Sequence, residues 1–187
     1  MENLDPEEIN KFNQMASTWW DPNGDFKALH DINPSRLDYI LSRVSEPLST
    51  ILDVGCGGGI LTESLQAHTE KIVGIDAAPK PLKVAQLHAL DQDLEIDYQL
   101  TTVETLSDDY QNYFNVVTCM ELLEHVTDFH STVRACADLT KPGGNLFFST
   151  INRNPISFLK LIVGAEEILK VLPRGTHEYQ KFIKPSE

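Results

Sequence analysis

At 187 residues and 41% hydrophobic content, the chain has the size and composition of one globular domain with a sizeable core. Its 28 acidic against 15 basic residues leave a formal charge of -13, which repels nucleic-acid phosphates, and no Lys/Arg cluster offers a local exception. Three cysteines, Cys56, Cys119 and Cys136, with no Cys-x-x-Cys pair, argue against a disulfide framework or thiolate zinc site and read as small buried thiols.

The start, MENLDPEEIN, has neither signal-peptide nor transit-peptide layout, so a cytoplasmic location is predicted. Ile9, Phe12, Met15, Ala16 and Trp19 recur at helical spacing, and Asp5-Pro6 supplies a cap with proline first, predicting a helix over 6–20. A loop rich in Asp, Gly and Pro follows. A second helix is predicted to start near Asn33-Pro34-Ser35 and to end at Pro47. From Thr50, apolar strands are predicted at 51–54, 71–76, 96–99, 114–119 and 145–150, with helices near 60–67, 82–90 and 129–139. LysProGlyGly at 141–144 reads as a helix stop and turn. The alternation predicts an α/β fold, a mostly parallel sheet with helices on both faces behind N-terminal helices.

The stretch LDVGCGGG, 52–59, lies where an apolar strand turns into a helix, so glycines there let backbone approach a ligand beside free helix amides. Asp76 ends the next strand, 23 residues after Asp53, where a carboxylate can accept both hydroxyls of a ribose. The spacing Gly-x-Gly-x-Gly at 55, 57 and 59 departs from the Gly-x-Gly-x-x-Gly of dinucleotide enzymes. It resembles motif I of the class I S-adenosylmethionine-dependent methyltransferases, a Rossmann-like fold, which implies that Gly55 and Gly57 line the methionine part of that cofactor. Val103 and Glu104, in TTVETL, are candidates for the adenine.

Further stretches extend the likeness: FNQMASTWWDPNGDFKALHDINPSRLDYI (12–40), VAQLHAL (84–90), VVTCMELLEHV (116–126), KPGGNLFFSTINRNP (141–155) and GTHEYQKFIKP (175–185). With the glycine loop they are similar to the ubiquinone-biosynthesis O-methyltransferases, which methylate catechol hydroxyls of polyprenylated ubiquinone precursors. The resemblance implies cofactor binding by Arg36, in the first turn of the second helix, together with Gly55, Gly57, Asp76 and Met120. A guanidinium fork suits the methionine carboxylate. The chain is expected to form a single domain: N-terminal helices over 1–48, a Rossmann-like core over 50–150, and a substrate- and membrane-facing segment over 151–187. A complete fold of this kind has seven strands against five predicted here, so the last strands are expected to be missing and the fifth to be an exposed edge.

Glu121, Glu124 and His125 stand at i, i+3 and i+4, a spacing that on a helix would let them grip one divalent ion. The chemical reason is the catechol: chelation by a hard ion such as Mg²⁺ favours the phenolate and orients it for in-line attack. The resemblance implies this ion at the three residues; the bland reading is an ordinary polar helix start. The general base is unassigned, with His177 a candidate.

Residues 156–172, ISFLKLIVGAEEILKVL, form an amphipathic pattern too interrupted by charge to span a bilayer. Arg153, Lys160, Lys170 and Arg174 surround it with positive charge, so peripheral membrane contact is predicted there. The expected partners are a polyprenyl catechol or quinol and other ubiquinone-biosynthesis proteins. Two alternatives stand beside this reading: a class I methyltransferase for another small molecule with a structural acidic cluster, and a catalytically silent cofactor-binding subunit.

Overall fold

The computed structural model describes residues 3–45, 48–154, 181–184 and 186–187. The segment 156–172 and His177 therefore lie outside the described residues.

Helix α1 spans Pro6–Met15, with Asp5 as its cap accepting from the Glu7 amide at 3.0 Å and Pro6 at the first position. It is shorter than its apolar spacing predicts, because a single 3-10 turn, Ala16–Thr18, breaks the rise before Trp19. Helix α2 spans Lys27–Leu41 and runs through Pro34 rather than beginning there. Its first turns are held by burial: Phe26, with Leu29 against it, packs on Trp19, Phe12 and Met15, and this offsets the backbone bond that Pro34 cannot donate. Arg36 thus sits in mid-helix, not in the first turn.

Five strands, β1 (Leu48–Val54), β2 (Thr69–Asp76), β3 (Asp97–Leu100), β4 (Phe114–Met120) and β5 (Thr140–Ser149), pair in parallel in the order β3-β2-β1-β4-β5. Between them run α3 (Ile60–Gln66), α4 (Pro79–Asp91), α5 (Val103–Asp109) and α6 (Phe129–Leu139). Period-2 alternation in β1 divides the core between the sheet's two faces. Leu52 and Val54 pack with Val103 and Leu106 of α5 and Ala135, Cys136 and Leu139 of α6, while Ile51 packs with Ile40 of α2 and Leu61 and Leu65 of α3. Tyr98 of β3 packs with Leu82, Ala85 and Ala89 of α4.

TTVETL follows directly on β3 and opens α5: Thr102 caps it by accepting from the Thr105 amide at 3.2 Å. One expectation fails for a local reason. LysProGlyGly at 141–144 lies within β5, where the register to β4 shifts between Phe114 and Val116 and Gly143 takes φ +81°. The strand absorbs the turn residues as an irregularity instead of starting after them. Among the described residues, β5 pairs on one side only, and no helix is long and apolar enough to cross a membrane.

Candidate active site

Strand order reverses at β1, with β2 on one side and β4 on the other, so the loops after β1 and β4 part to leave a crevice at the carboxyl ends. A cavity of about 390 Å³ opens there, and Arg36, Gly55, Gly57, Asp76, Met120, Glu121, Glu124 and His125 all line it. The structure therefore brings the residues expected for the cofactor and the ion together on one cavity, with the adenine candidates Val103 and Glu104 on a neighbouring one.

The glycine loop is tied to β2 by the amides of Gly55 and Cys56, which both donate to the Ile75 carbonyl at 2.9 and 3.0 Å. Asp76 completes the tie. Its Oδ2 accepts from the Gly57 amide at 2.8 Å and its Oδ1 from the Ala78 amide at 2.7 Å. Each carboxylate oxygen keeps a second lone pair, so the acid can hold the loop and still accept ribose hydroxyls. Gly57 (φ +55°) and Gly58 carry the Trp19 indole: a Cβ on them would fall 2.2 and 2.3 Å from its atoms. Glycine is required here by close approach as well as by backbone angle.

Beneath the loop, Asp53 is buried and accepts from Thr62 Oγ1 at 2.6 Å and Thr118 Oγ1 at 2.7 Å. Burial pushes its carboxyl up to about 6, against the pull of the two hydroxyls. Arg36 donates to Glu121 Oε1 at 3.0 Å through one nitrogen of its fork, which leaves further N–H groups for a second carboxylate. Met120 closes β4 on the cavity wall. A smaller cavity of about 70 Å³ adjoins at Gly55 and Asp76 and is lined by Thr101, Thr102, Val103 and Glu104. Glu104 is already engaged, accepting from Asn3 Nδ2 at 2.8 Å and Thr132 Oγ1 at 3.0 Å. A cation for the carboxylate, an acid beside the loop and a side cavity for a base fit S-adenosylmethionine.

The acidic trio behaves differently from its spacing. Glu121 takes φ +53°, so it stands off the single 3-10 turn, Leu123–His125, that carries Glu124 and His125. There is no α-helix to align the three. Glu121 Oε1 also accepts from Ser149 Oγ at 2.8 Å; Glu124 Oε2 accepts from Thr150 Oγ1 at 2.9 Å; His125 Nδ1 meets Glu8 Oε2 at 2.8 Å. Among the described residues no three His, Cys, Asp or Glu side chains converge as a metal group. The expected divalent-ion site does not fit this arrangement, because Glu121, His125 and one oxygen of Glu124 are turned to separate partners.

What the trio does offer is a buried acceptor. Glu124 is 3% exposed and its Oε1 has no partner among the described residues. Burial, then the charge of Glu121, raises its carboxyl to about 7. Opposite it, the hydrogen bond from His125 leads the lowering of Glu8 to about 2. Glu8 belongs to α1 and lies 117 residues from its partner, so no local pattern announced it.

The chain matches the family described as a methyltransferase domain over residues 28–178. It is 56% identical over 187 residues to the ubiquinone biosynthesis O-methyltransferase of Hahella chejuensis, covering 100% of this chain and 79% of that one. With that of Nitrosomonas europaea it shares 56% identity over 99% of this chain and 79% of the relative. The chain belongs to this O-methyltransferase family. The fold of the methyltransferase agrees: it is similar to the N-methyltransferase NodS from Bradyrhizobium japonicum, solved in complex with S-adenosyl-L-homocysteine (TM-score 0.62, 20% identity, 78% of this chain and 74% of that one). It is also similar to an S-adenosylmethionine-dependent methyltransferase from Clostridium acetobutylicum (TM-score 0.57, 20% identity, 82% and 60%). The methyltransferase is thus an S-adenosylmethionine-dependent enzyme acting on oxygen, with a Rossmann-like parallel sheet.

Proposed function

We propose that the enzyme methylates a catechol-type hydroxyl of a polyprenylated ubiquinone precursor. The observation that carries this reading is the buried Glu124 Oε1, without a partner among the described residues, beside His125 on a cavity whose other walls include Phe12, Met15, Phe26 and Leu29. An acceptor for a ring hydroxyl set among apolar side chains suits an aromatic head with a hydrocarbon tail. The place of the 56% identical relatives among the ubiquinone biosynthesis O-methyltransferases supports the same substrate class.

The bound cofactor supplies a methyl group on a cationic sulfur. Arg36 holds the carboxylate end and Asp76 the ribose, which fixes the direction from which a hydroxyl must approach. Glu124 accepts from one ring hydroxyl. His125, its Nδ1 committed to Glu8, leaves Nε2 as the ring atom able to take the proton from the attacking oxygen.

Turnover of a short-prenyl catechol, followed by mass spectrometry, tests the reading. His125→Ala is expected to lower kcat by about 10²–10⁴-fold. A chelator is expected to leave S-adenosylhomocysteine affinity unchanged; loss of turnover alone under chelation would place the divalent ion back in the mechanism. No methylated catechol product at all would favour another small-molecule acceptor, with the acidic trio structural.

The chain is proposed to act as one domain whose residues 151–187 face substrate and membrane. Liposome flotation is expected to recover the enzyme, and Leu161→Glu with Leu169→Glu to abolish that recovery.

A further inference from the structure

We propose that Trp20, braced from outside by His88 and Glu63, positions the glycine loop for the cofactor. The two tryptophans of the chain grip that loop from different sides. Trp19 lies flat against Gly57 and Gly58 and stacks on Phe26, with ring centroids 3.8 Å apart. Trp20 does something more specific: its Nε1 donates to the Gly58 carbonyl at 2.9 Å. That carbonyl sits between the amide that Asp76 holds and the first turn of α3, so the indole fixes the loop at the one stretch β2 does not reach.

A single neutral hydrogen bond from a mobile side chain would position little. Trp20 is not free to move. Its ring stacks on His88 of α4 with centroids 3.5 Å apart and planes 4° from parallel. His88 in turn is fixed by Glu63, whose two oxygens both lie 2.9 Å from Nδ1. Glu63 is itself in the first turn of α3, directly after the loop, and its side chain is 8% exposed. The chain of contacts closes on itself: loop carbonyl, indole, imidazole, carboxylate, and back to the helix the loop begins. His30 holds the neighbouring backbone, its Nε2 lying 2.8 Å from the Trp19 carbonyl oxygen. Of these five side chains, Trp19 lines the cavity of the cofactor residues, and Trp20, His88, Glu63 and His30 do not. Trp20, His88 and Glu63 are therefore positioning residues, acting on the cofactor through the loop.

The test is titration calorimetry with S-adenosylhomocysteine, alongside initial rates. Trp20→Phe keeps a ring against His88 and removes the indole donor. Its Kd is expected to rise about three- to tenfold, the worth of one hydrogen bond. The KM for the cofactor should rise by the same factor, with a smaller change in kcat. His88→Gln keeps an amide for Glu63 but loses the stack, and its Kd is expected to rise about two- to threefold. A merely structural role would lower Tm and leave Kd, measured well below melting, unaltered. Wild-type Kd and KM in Trp20→Phe overturn the proposal. If that variant fails to fold, an unchanged Kd in His88→Gln overturns it instead. Wild-type enzyme that binds no S-adenosylhomocysteine would overturn the cofactor assignment as well, a result separable from either variant's.

Discussion

Gly57→Ala is expected to abolish calorimetric cofactor binding and to lower stability by roughly 2–5 kcal/mol. Two costs combine at this position. A side chain at φ +55° is strained wherever it sits, and this one would also place its Cβ 2.2 Å from the Trp19 ring. The indole cannot retreat easily, since Phe26 stacks on it and it is 6% exposed. Relief must come from the loop, and any movement there breaks the 2.8 Å bond from the Gly57 amide to Asp76. Gly143→Ala provides the control, having φ +81° but nothing within 4 Å of an added Cβ. It should lose about 1 kcal/mol by strain alone and bind the cofactor normally. Equal losses in the two variants, by urea denaturation, would show that Trp19 does not press on the loop.

The second large effect is on pH. Glu124→Gln should be more stable than wild type by about 3 kcal/mol at pH 8, a gap that narrows to about 1 kcal/mol or less at pH 5. In the native state burial holds the Glu124 carboxyl up at about 7, against 4.5 for the ordinary group. Its proton is thus retained on folding between those values, so the group favours the folded state below pH 4.5 and loses that contribution as pH rises through 7. Asp53, raised to about 6, acts in the same direction over a window that begins lower. Glu8, lowered to about 2, has the opposite sign: its contribution is present above pH 4.5 and lost as pH falls through 2. Wild-type stability should therefore climb from pH 8 toward pH 5 and drop in stronger acid. The glutamine variant should show a shallower climb. Parallel curves for the two proteins, from denaturation at pH 5, 6, 7 and 8, would show that Glu124 is not the group responsible.

Much of the core could be read in advance, because parallel strands buried on both faces are short apolar runs with little else to imitate them. Val116 and Val117 in β4, or Ile51 and Leu52 in β1, have no other economical place to go. The cofactor residues were legible for a related reason: glycines after β1 and an acid after β2 must meet if the strands are neighbours. Spacing misleads where the backbone angle departs from the helical one. The interval between Glu121 and His125 suits a helix, yet a left-handed residue at 121 removes Glu121 from the turn that follows. Pro34 reads as a start because its missing amide costs least there, whereas the burial of Phe26 sets the start seven residues earlier, at Lys27. Glu8 beside His125, and Trp20 above Gly58, are contacts between distant segments that depend on how α1 and the following turn dock. The tryptophan pair was visible as a motif, but its task was not.

The hydrogen bond from Thr118 to Asp53 joins residues 65 positions apart, and β1 pairs with β4 along the same stretch. The floor of the glycine loop is thus completed by a segment made long after the loop itself. During synthesis, β1 can pair with β2 early, but Asp53 gains its second hydroxyl donor only when β4 has closed against it. Cofactor affinity should consequently arrive late in folding and depart early in unfolding, which makes a bound nucleoside a probe of whether β4 has docked.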